Sequence, residues 1–380
     1  MKIMLVAAEA SGDALGAGLA KALKARRPDV TLVGVGGPRM AEQGIISPFD
    51  IAELSILGWL EGLRAYGRVK TRVADTVALA QRERPDAVVL IDSWGFTIRV
   101  AKAIRAVLPD VKLIKYVGPQ VWASRPGRAR TLAGAVDHLL ALYAFDAPWF
   151  EAEGLPTTVV GSQALHIDMG GADPMRFRAH RNLTMDQPLL LILPGSRPSE
   201  IRLMTPIYEQ AAARLKVERP DLAVAVVAAG TVAEDVATRI AAWPFRAHLV
   251  EEADKYAAMK AATVALATSG TVSTELALAG VPMVIGYRFA PLSYAIMKPF
   301  FTGKYATLFN HAADAEIARE LIQDAATPER FAAEVGRLLD DPVTRADQAA
   351  RQTAALDRMG REGRDPSEVA AEAVLSVVEA

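Results

Sequence analysis

Short apolar runs alternate with amphipathic stretches along most of the chain. In the first half the runs are Ile3–Ala8, Thr31–Val35, Ala87–Ile91, Lys112–Val117 and Leu139–Leu142; between them Leu15, Leu19 and Leu23, and then Val100, Ile104 and Val107, recur at helical spacing. Unbroken runs of this length predict strands covered on both faces, because a half-exposed strand would alternate apolar with polar positions. Helices between them make the sheet parallel. At 166–187, H-I-D-M-G-G-A-D-P-M-R-F-R-A-H-R-N-L-T-M-D-Q, the pattern pauses in a polar, aperiodic stretch with Gly and Pro, which predicts a linker. It resumes with strands Leu189–Leu193, Ala223–Ala228, Val264–Ala267 and Met283–Tyr287 and with helices near 199–217, 232–242, 254–262 and 272–279. The remainder, 328–380, is helical and Ala-rich, and no short internal repeat is present.

The predicted fold class is α/β, with two Rossmann-like, doubly wound domains at 1–165 and 188–355 facing a cleft, ligands binding at the carboxyl ends of the strands. A chain of 380 residues is longer than one core usually supports, which agrees with two domains. The start, M-K-I-M-L-V-A-A-E-A, resembles a signal peptide but is short and runs directly into Ser11-Gly12-Asp13, so it reads as a first strand. No run approaches the roughly 18 apolar residues that span a bilayer. A cytoplasmic protein is expected, not necessarily one free of membrane surfaces.

Composition narrows the chemistry. With 43 basic and 44 acidic residues there is no global field to hold nucleic acid. No cysteine is present, which removes disulfides, thiol catalysis and thiolate metal sites. His138, His166, His180, His248 and His311 lack metal-ligand spacing, and no Asp-x-Asp motif stands at a plausible donor site, so no metal or cofactor is expected.

Two strand-to-helix turns in the second half carry the strongest signal: L-I-L-P-G-S-R-P-S-E-I (191–201) and A-T-S-G-T-V-S-T-E-L (267–276). In each an apolar run ends in Gly with hydroxyl residues and a helix begins at once, an arrangement that aims free backbone amides at phosphate or hydroxyls. Gly195, Ser196 and Arg197 suit a diphosphate, Arg197 supplying a fixed fork of donors. Ser269, Gly270 and Thr271 form the second turn, and Glu275, one turn into its helix, can accept from sugar hydroxyls. Together they predict a site for a nucleotide that carries a sugar. Asn310 could meet the base or ribose, or could cap a helix.

In the first half, Glu9, Ser11, Gly12 and Asp13 follow the first strand, where a carboxylate beside an acceptor hydroxyl and a plain N-cap are equally good readings. Asp92 ends the third strand, a place where catalytic groups gather, although it could also cap the next helix. The glycine turn G-V-G-G-P-R-M at 34–40 follows the second strand and is not a dinucleotide fingerprint. The loop Y-V-G-P-Q-V-W-A-S-R-P-G-R (116–128) is too long and aromatic for a simple connection and should line the cleft. At 54–72, Ile56, Leu57, Trp59, Leu60 and Leu63 accompany Arg64, Arg68, Lys70 and Arg72, which suits an interfacial helix at an anionic membrane, an acyl-chain groove or an ordinary core helix. A similar mixture recurs at 287–305.

These segments, in order, resemble the bacterial lipid-A-disaccharide synthase family of GT-B glycosyltransferases: A-E-A-S-G-D-A-L-G, G-V-G-G-P-R-M, E-L-S-I-L-G-W-L-E, Y-V-G-P-Q-V-W-A-S-R, L-P-G-S-R-P-S-E-I, S-G-T-V-S-T-E-L-A-L and P-M-V-I-G-Y. The resemblance spans nearly the whole chain. It implies inverting transfer of 2,3-diacylglucosamine from its UDP derivative to the 6-hydroxyl of 2,3-diacylglucosamine 1-phosphate at the inner face of the bacterial inner membrane, with peripheral contact to that surface. It further implies UDP held in the C-terminal domain by Ser196 and Arg197, the leaving phosphate or sugar at Ser269, Gly270 and Thr271, the ribose at Glu275, and Asn310 beside the nucleotide. A C-terminal helix within 356–380 should cross back onto the first domain. A homodimer is an arrangement the sequence leaves open.

The resemblance has gaps on the acceptor side. Where the family usually reads Asp-Ser/Ala-Pro-Asp-Phe-Asn, this chain reads Asp92-Ser93-Trp94-Gly95-Phe96-Thr97, so the second aspartate has become Gly95. The usual Val-Gly-His-Pro is Val160-Gly161-Ser162-Gln163, and the usual Pro-Phe-Glu is Ala144-Phe145-Asp146. Asp92 is then the first candidate for the base, with Glu9 and Asp13 behind it. Three rivals stand beside the synthase reading: a family member retuned to another amphiphile, a UDP-sugar 2-epimerase of the same architecture, and a non-catalytic paralogue.

Overall fold

The structure, a computed structural model, describes every residue except 55–61, 292–293, 296–297 and 362, and the side chains of all described residues but 62–66 and 231. It divides into two compact units, Met1–Gln163 with Glu362–Ala380 as unit 1 and Ala164–Arg361 as unit 2.

Unit 1 is built on a sheet in the order β2-β1-β3-β4-β5-β6, from β1 (Lys2–Ala7), β2 (Thr31–Val35), β3 (Ala87–Ile91), β4 (Lys112–Tyr116), β5 (His138–Ala141) and β6 (Thr157–Val159). All the pairings are parallel. Helices α1 (Ala10–Arg26), α2 (Pro38–Glu42), α3 (Gly62–Glu83), α4 (Trp94–Val107), α5 (Arg128–Ala133) and α6 (Ala147–Glu151) connect them. Every residue of β3 is buried, and its side chains alternate between two cores, Val88 and Leu90 with Val100 and Ile104 of α4, Val89 and Ile91 with Leu19 and Leu23 of α1. That double coverage produces the unbroken apolar run, and each such side chain contributes about 1.5–3 kcal/mol before entropy is counted.

Unit 2 repeats the scheme with the order β12-β11-β10-β7-β8-β9: β7 (Leu189–Leu193), β8 (Ala223–Val227), β9 (His248–Val250), β10 (Val264–Thr268), β11 (Met283–Tyr287) and β12 (Arg319–Ile322), again parallel. Its helices include α7 (Pro174–His180), α8 (Pro198–Glu218), α9 (Ala233–Ala241), α10 (Lys255–Ala261), α11 (Val272–Leu278), α12 (Leu308–Ala313), α13 (Pro328–Asp340) and α14 (Pro342–Arg358). The strands that the apolar pattern did not announce, β6, β9 and β12, are all sheet edges of at most four residues, part-exposed along their length. A part-exposed edge strand this short leaves no apolar run long enough to stand out, whereas the fourth edge strand, five-residue β2, leaves one.

The stretch 166–187, expected as an aperiodic linker, is instead structured within unit 2. Asp173 accepts from the amides of Met175 (2.9 Å) and Arg176 (3.0 Å), and Pro174 occupies the first helical position of α7. The Asp-Pro pair that reads as loop punctuation is a helix start. Buried Arg178 then fastens α7 to its surroundings by donating to the carbonyls of Thr184 (2.8 Å), Gln187 (2.9 Å) and Ala261 (2.7 Å).

Helix α14 stays with unit 2, where Gln348 donates to the Met283 carbonyl at 2.8 Å. The chain rejoins unit 1 after Arg361, later than the expected 356. There α15 (Pro366–Glu379) packs on α1, with Arg26 paired to Glu372 at 2.9 Å and Arg27 to Glu379 at 2.6 Å.

Candidate active site

In each sheet the strand order reverses at one place, and adjacent connections there leave in opposite directions, opening a crevice beyond the carboxyl ends of the strands. In unit 1 this switch point falls between β1 and β3, and in unit 2 between β7 and β10. Four of the six turns and loops singled out from the sequence leave these strands; those at 34–40 and 116–128 follow β2 and β4.

After β1 come Glu9, Ser11 and Asp13, and after β3 come Asp92 and Ser93. The Ser11 hydroxyl donates to Asp92 Oδ2 (2.9 Å), and the Ser93 hydroxyl donates to Glu9 Oε1 (2.8 Å). Each turn thus supplies a serine to the other's carboxylate. Asp92 and Ser93 both sit in the left-handed region, with φ of +50° and +39°. Beneath them lies Lys115 of β4, 2% exposed, donating to the Asp92 carbonyl and to Thr97 Oγ1 (3.0 Å). Burial pulls its ammonium down to about 7 against the opposing pull of the Asp92 and Glu9 carboxylates.

Asp13 does not join them. Its carboxylate accepts the amides of Gly37 (2.7 Å), Arg39 (3.0 Å) and Met40 (3.0 Å), capping α2, and its residue is 3% exposed. The expectation that it could serve as the base is therefore corrected: its oxygens are committed to amides that would otherwise be orphaned.

The loop after β4 meets the one after β5 through Asp146, whose Oδ1 accepts from the Trp122 indole N–H at 3.0 Å. Burial raises this carboxyl to about 6 even though the indole and the Tyr143 backbone act to lower it. Its folded value lies above the ordinary 3.8, so the folded state holds the extra proton between those values; the resulting destabilisation is absent below 3.8 and complete above about 6. Asp146→Asn is expected to raise stability at pH 7.5 by about 1–3 kcal/mol and to lose that gain as the pH falls toward 4. Urea unfolding at both pH values checks it, and an equal gain at both would refute it.

In unit 2, Gly195 has φ of +124°, and a Cβ there would come within 2.6 Å of the Glu200 side chain. Buried Glu200 turns back on the loop: its Oε2 accepts from the amides of Ser196 (3.0 Å) and Arg197 (3.3 Å), and its Oε1 pairs with the Arg197 guanidinium at 2.9 Å. The amides expected to point at a ligand are thus occupied by a carboxylate, which corrects that reading of the first turn. The Arg197 side chain is nonetheless 74% exposed. The Thr268 hydroxyl donates to the Pro194 carbonyl (2.8 Å) and so ties the two turns together.

The Ser269 amide is also taken, donating to the Gly286 carbonyl at 2.9 Å, while Gly270 and Thr271 are exposed before α11. Glu275 forms an ion pair with Lys255 at 3.0 Å, and Lys255 also meets Glu252 at 2.9 Å. Burial draws the Lys255 ammonium down, but the two carboxylates more than offset this and raise it.

Asn310 is 0% exposed, and all its hydrogen-bonding capacity is used inside unit 2. Its Nδ2 donates to the Ala318 carbonyl and to Glu320 Oε1, both at 2.8 Å; its Oδ1 accepts from the amides of Ile317 (2.8 Å) and Ala318 (3.1 Å). The expectation that it meets the nucleotide is corrected, since an amide has two donors and two acceptor positions and none remains.

Of the 54–72 segment, Trp59 and its apolar neighbours lie outside the described residues. Arg72, expected on its basic face, is paired with Glu53 (2.6 Å) and Asp75 (2.7 Å). In the 287–305 segment, Phe300 and Phe301 are exposed beside exposed Lys298 and Lys304. Among the described residues no helix is long and apolar enough to cross a membrane.

Sequence reasoning missed Lys115, Glu200, Lys255 and Glu320. A lysine inside the apolar run of β4, and a glutamate three residues into a helix that follows a glycine turn, were the available signals.

The model of the lipid-A-disaccharide synthetase family matches residues 3–374. A lipid-A-disaccharide synthase of Rhodospirillum centenum is 43% identical over 378 residues, spanning 99% of this chain and 94% of the relative. One of Paramagnetospirillum magneticum is 40% identical, spanning 100% of this chain and 98% of the relative. Among solved structures, S. aureus MnaA with UDP aligns at a TM-score of 0.65 and 16% identity over 100% of this chain and 96% of that one. A UDP-GlcNAc 2-epimerase from Neisseria meningitidis bound to UDP-GlcNAc aligns at 0.60 and 12% identity, with both chains fully covered. At such identities the structural likeness speaks for the GT-B fold alone, whereas the sequence likeness runs the length of the chain: the protein belongs to the lipid-A-disaccharide synthetase family.

Proposed function

We propose that the protein transfers a 2,3-diacylglucosamine unit from its UDP derivative to the 6-hydroxyl of 2,3-diacylglucosamine 1-phosphate, giving a β-1,6-linked disaccharide and UDP. The observation that carries this is the full-length likeness to lipid-A-disaccharide synthases. Transfer with inversion needs one displacement: a base takes the proton of the 6-hydroxyl, the oxygen bonds to the anomeric carbon, and the bond from that carbon to UDP breaks with its electron pair leaving on the diphosphate.

Asp92 is the base in this reading, because it stands at the switch point of unit 1 with its carboxylate oriented by Ser11; Glu9 is the second carboxylate there. Arg197 and the Ser196 hydroxyl meet the diphosphate, with Gly195 giving the turn its left-handed bend. Ser269, Gly270 and Thr271 face the leaving phosphate, and Glu275, braced by Lys255, accepts from the ribose. Glu200 holds the turn in shape by accepting from the Ser196 and Arg197 amides.

The test is release of UDP from UDP-2,3-diacylglucosamine in the presence of the acylated glucosamine phosphate. No release would overturn the assignment, and interconversion of UDP-sugars epimeric at C2 would put the epimerase in its place.

Phe300 and Phe301, with Lys298 and Lys304 nearby, suit contact with an anionic bilayer, the apolar rings entering the interface and the ammonium groups meeting headgroups. Replacing both phenylalanines by serine is expected to weaken partitioning onto phosphatidylglycerol-containing vesicles by about tenfold or more. Co-sedimentation measures it, and unchanged partitioning would remove this contact.

A further inference from the structure

We infer that Lys115 is the positioning residue for Asp92: from inside the sheet it holds the β3–α4 turn in the one shape that presents the Asp92 carboxylate to Ser11. The inference rests on Asp92 being the base.

A fully buried ammonium costs several kcal/mol unless its partners are well placed. Here the partners are the turn itself and Thr97 in the first turn of α4. Lys115 Nζ donates to the Asp92 carbonyl and to Thr97 Oγ1 at 3.0 Å; the Thr97 hydroxyl in turn lies 2.8 Å from the Asp92 carbonyl and 3.1 Å from that of Ser93. The next residue of β4 grips the same turn from its other side, since the Tyr116 carbonyl accepts the Asp92 amide at 2.9 Å.

This grip is needed because Asp92 and Ser93 are consecutive non-glycine residues in the left-handed region. Each costs about 1–2 kcal/mol and persists only where the surroundings over-determine it. Released, the turn would relax and swing the Asp92 carboxylate off the Ser11 hydroxyl and the Ser93 hydroxyl off Glu9. At 2% exposure Lys115 cannot itself touch substrate, so it acts through the turn.

The experiment measures kcat and KM of the full chain with the UDP donor for Lys115→Met, Thr97→Val, Asp92→Asn and the pair Lys115→Met with Asp92→Asn. Lys115→Met is expected to lower kcat by about 10- to 100-fold with the donor KM unchanged, Thr97→Val to shift kcat in the same direction by less, and the pair to be no slower than Asp92→Asn alone. Parental kcat in Lys115→Met, or a pair whose losses multiply, would overturn the inference. If Asp92→Asn turns over like the parent, the base reading falls and this one with it. If Asp92→Asn is crippled while Lys115→Met is not, the base stands and only the positioning role is lost. Should Lys115→Met fail to fold, Thr97→Val decides: parental kcat there refutes the role.

Discussion

Asp92→Asn is expected to lower kcat by about 10²–10⁴-fold while leaving the donor KM near that of the parent. Asparagine has the volume of aspartate and can still accept from Ser11, now 2.9 Å from Oδ2, so the turn keeps its shape and only basicity is removed. The residues proposed to hold the donor belong to unit 2 and Asp92 to unit 1, so donor affinity is expected to stay unchanged. Steady-state UDP release at saturating donor checks this. If kcat is retained in Asp92→Asn and lost in Glu9→Gln, the base is the neighbouring carboxylate and the two residues exchange roles.

The largest effect on stability is expected at Asn310. In Asn310→Ala the buried amides of Ile317 and Ala318 lose their acceptor and the buried Ala318 carbonyl loses a donor, while part-buried Glu320 loses one donor and keeps those of Thr307. With each unsatisfied buried group costing about 1–3 kcal/mol and partial relaxation allowed, the sum is roughly 3–5 kcal/mol. For a unit of this size that lowers Tm by about 6–20 °C. Calorimetry reads the shift, and titration with UDP well below the transition separates the two roles of this residue. Retained UDP affinity is the expected outcome; a folded variant that no longer binds UDP would return Asn310 to the ligand.

Central strands were legible because burial on both faces leaves a continuous apolar run, as in A-V-V-L-I of β3. Of the edge strands only five-residue β2 was legible; β6, β9 and β12 were not, because a strand of three or four residues, part-exposed, leaves too short a run. The four turns were legible as glycine-and-hydroxyl punctuation at strand ends, and strand order then places them at the two switch points. What each side chain does there was not legible, because that depends on partners distant in sequence. Asp13 reads identically whether it faces solvent or caps a helix 24 residues away, as it does through Gly37. Asn310 reads as a ligand or a cap until Ala318 and Glu320 close around it. Glu200, by contrast, lies only four residues beyond Ser196, and its hold on that turn is a local signal that glycine counting overlooked.

Helix α15 belongs to the unit that the first strand begins, and its place on α1 has a consequence for biosynthesis. The segment 164–361 is continuous, so unit 2 can fold as soon as it clears the ribosome. Unit 1 must wait for residues translated after all of unit 2. Until α15 arrives, Ala370, Ala371 and Val374 are missing from the core that contains Leu19 and Leu23, and that apolar surface stays open to chaperones. The half of the molecule that is made first is the half that is finished last.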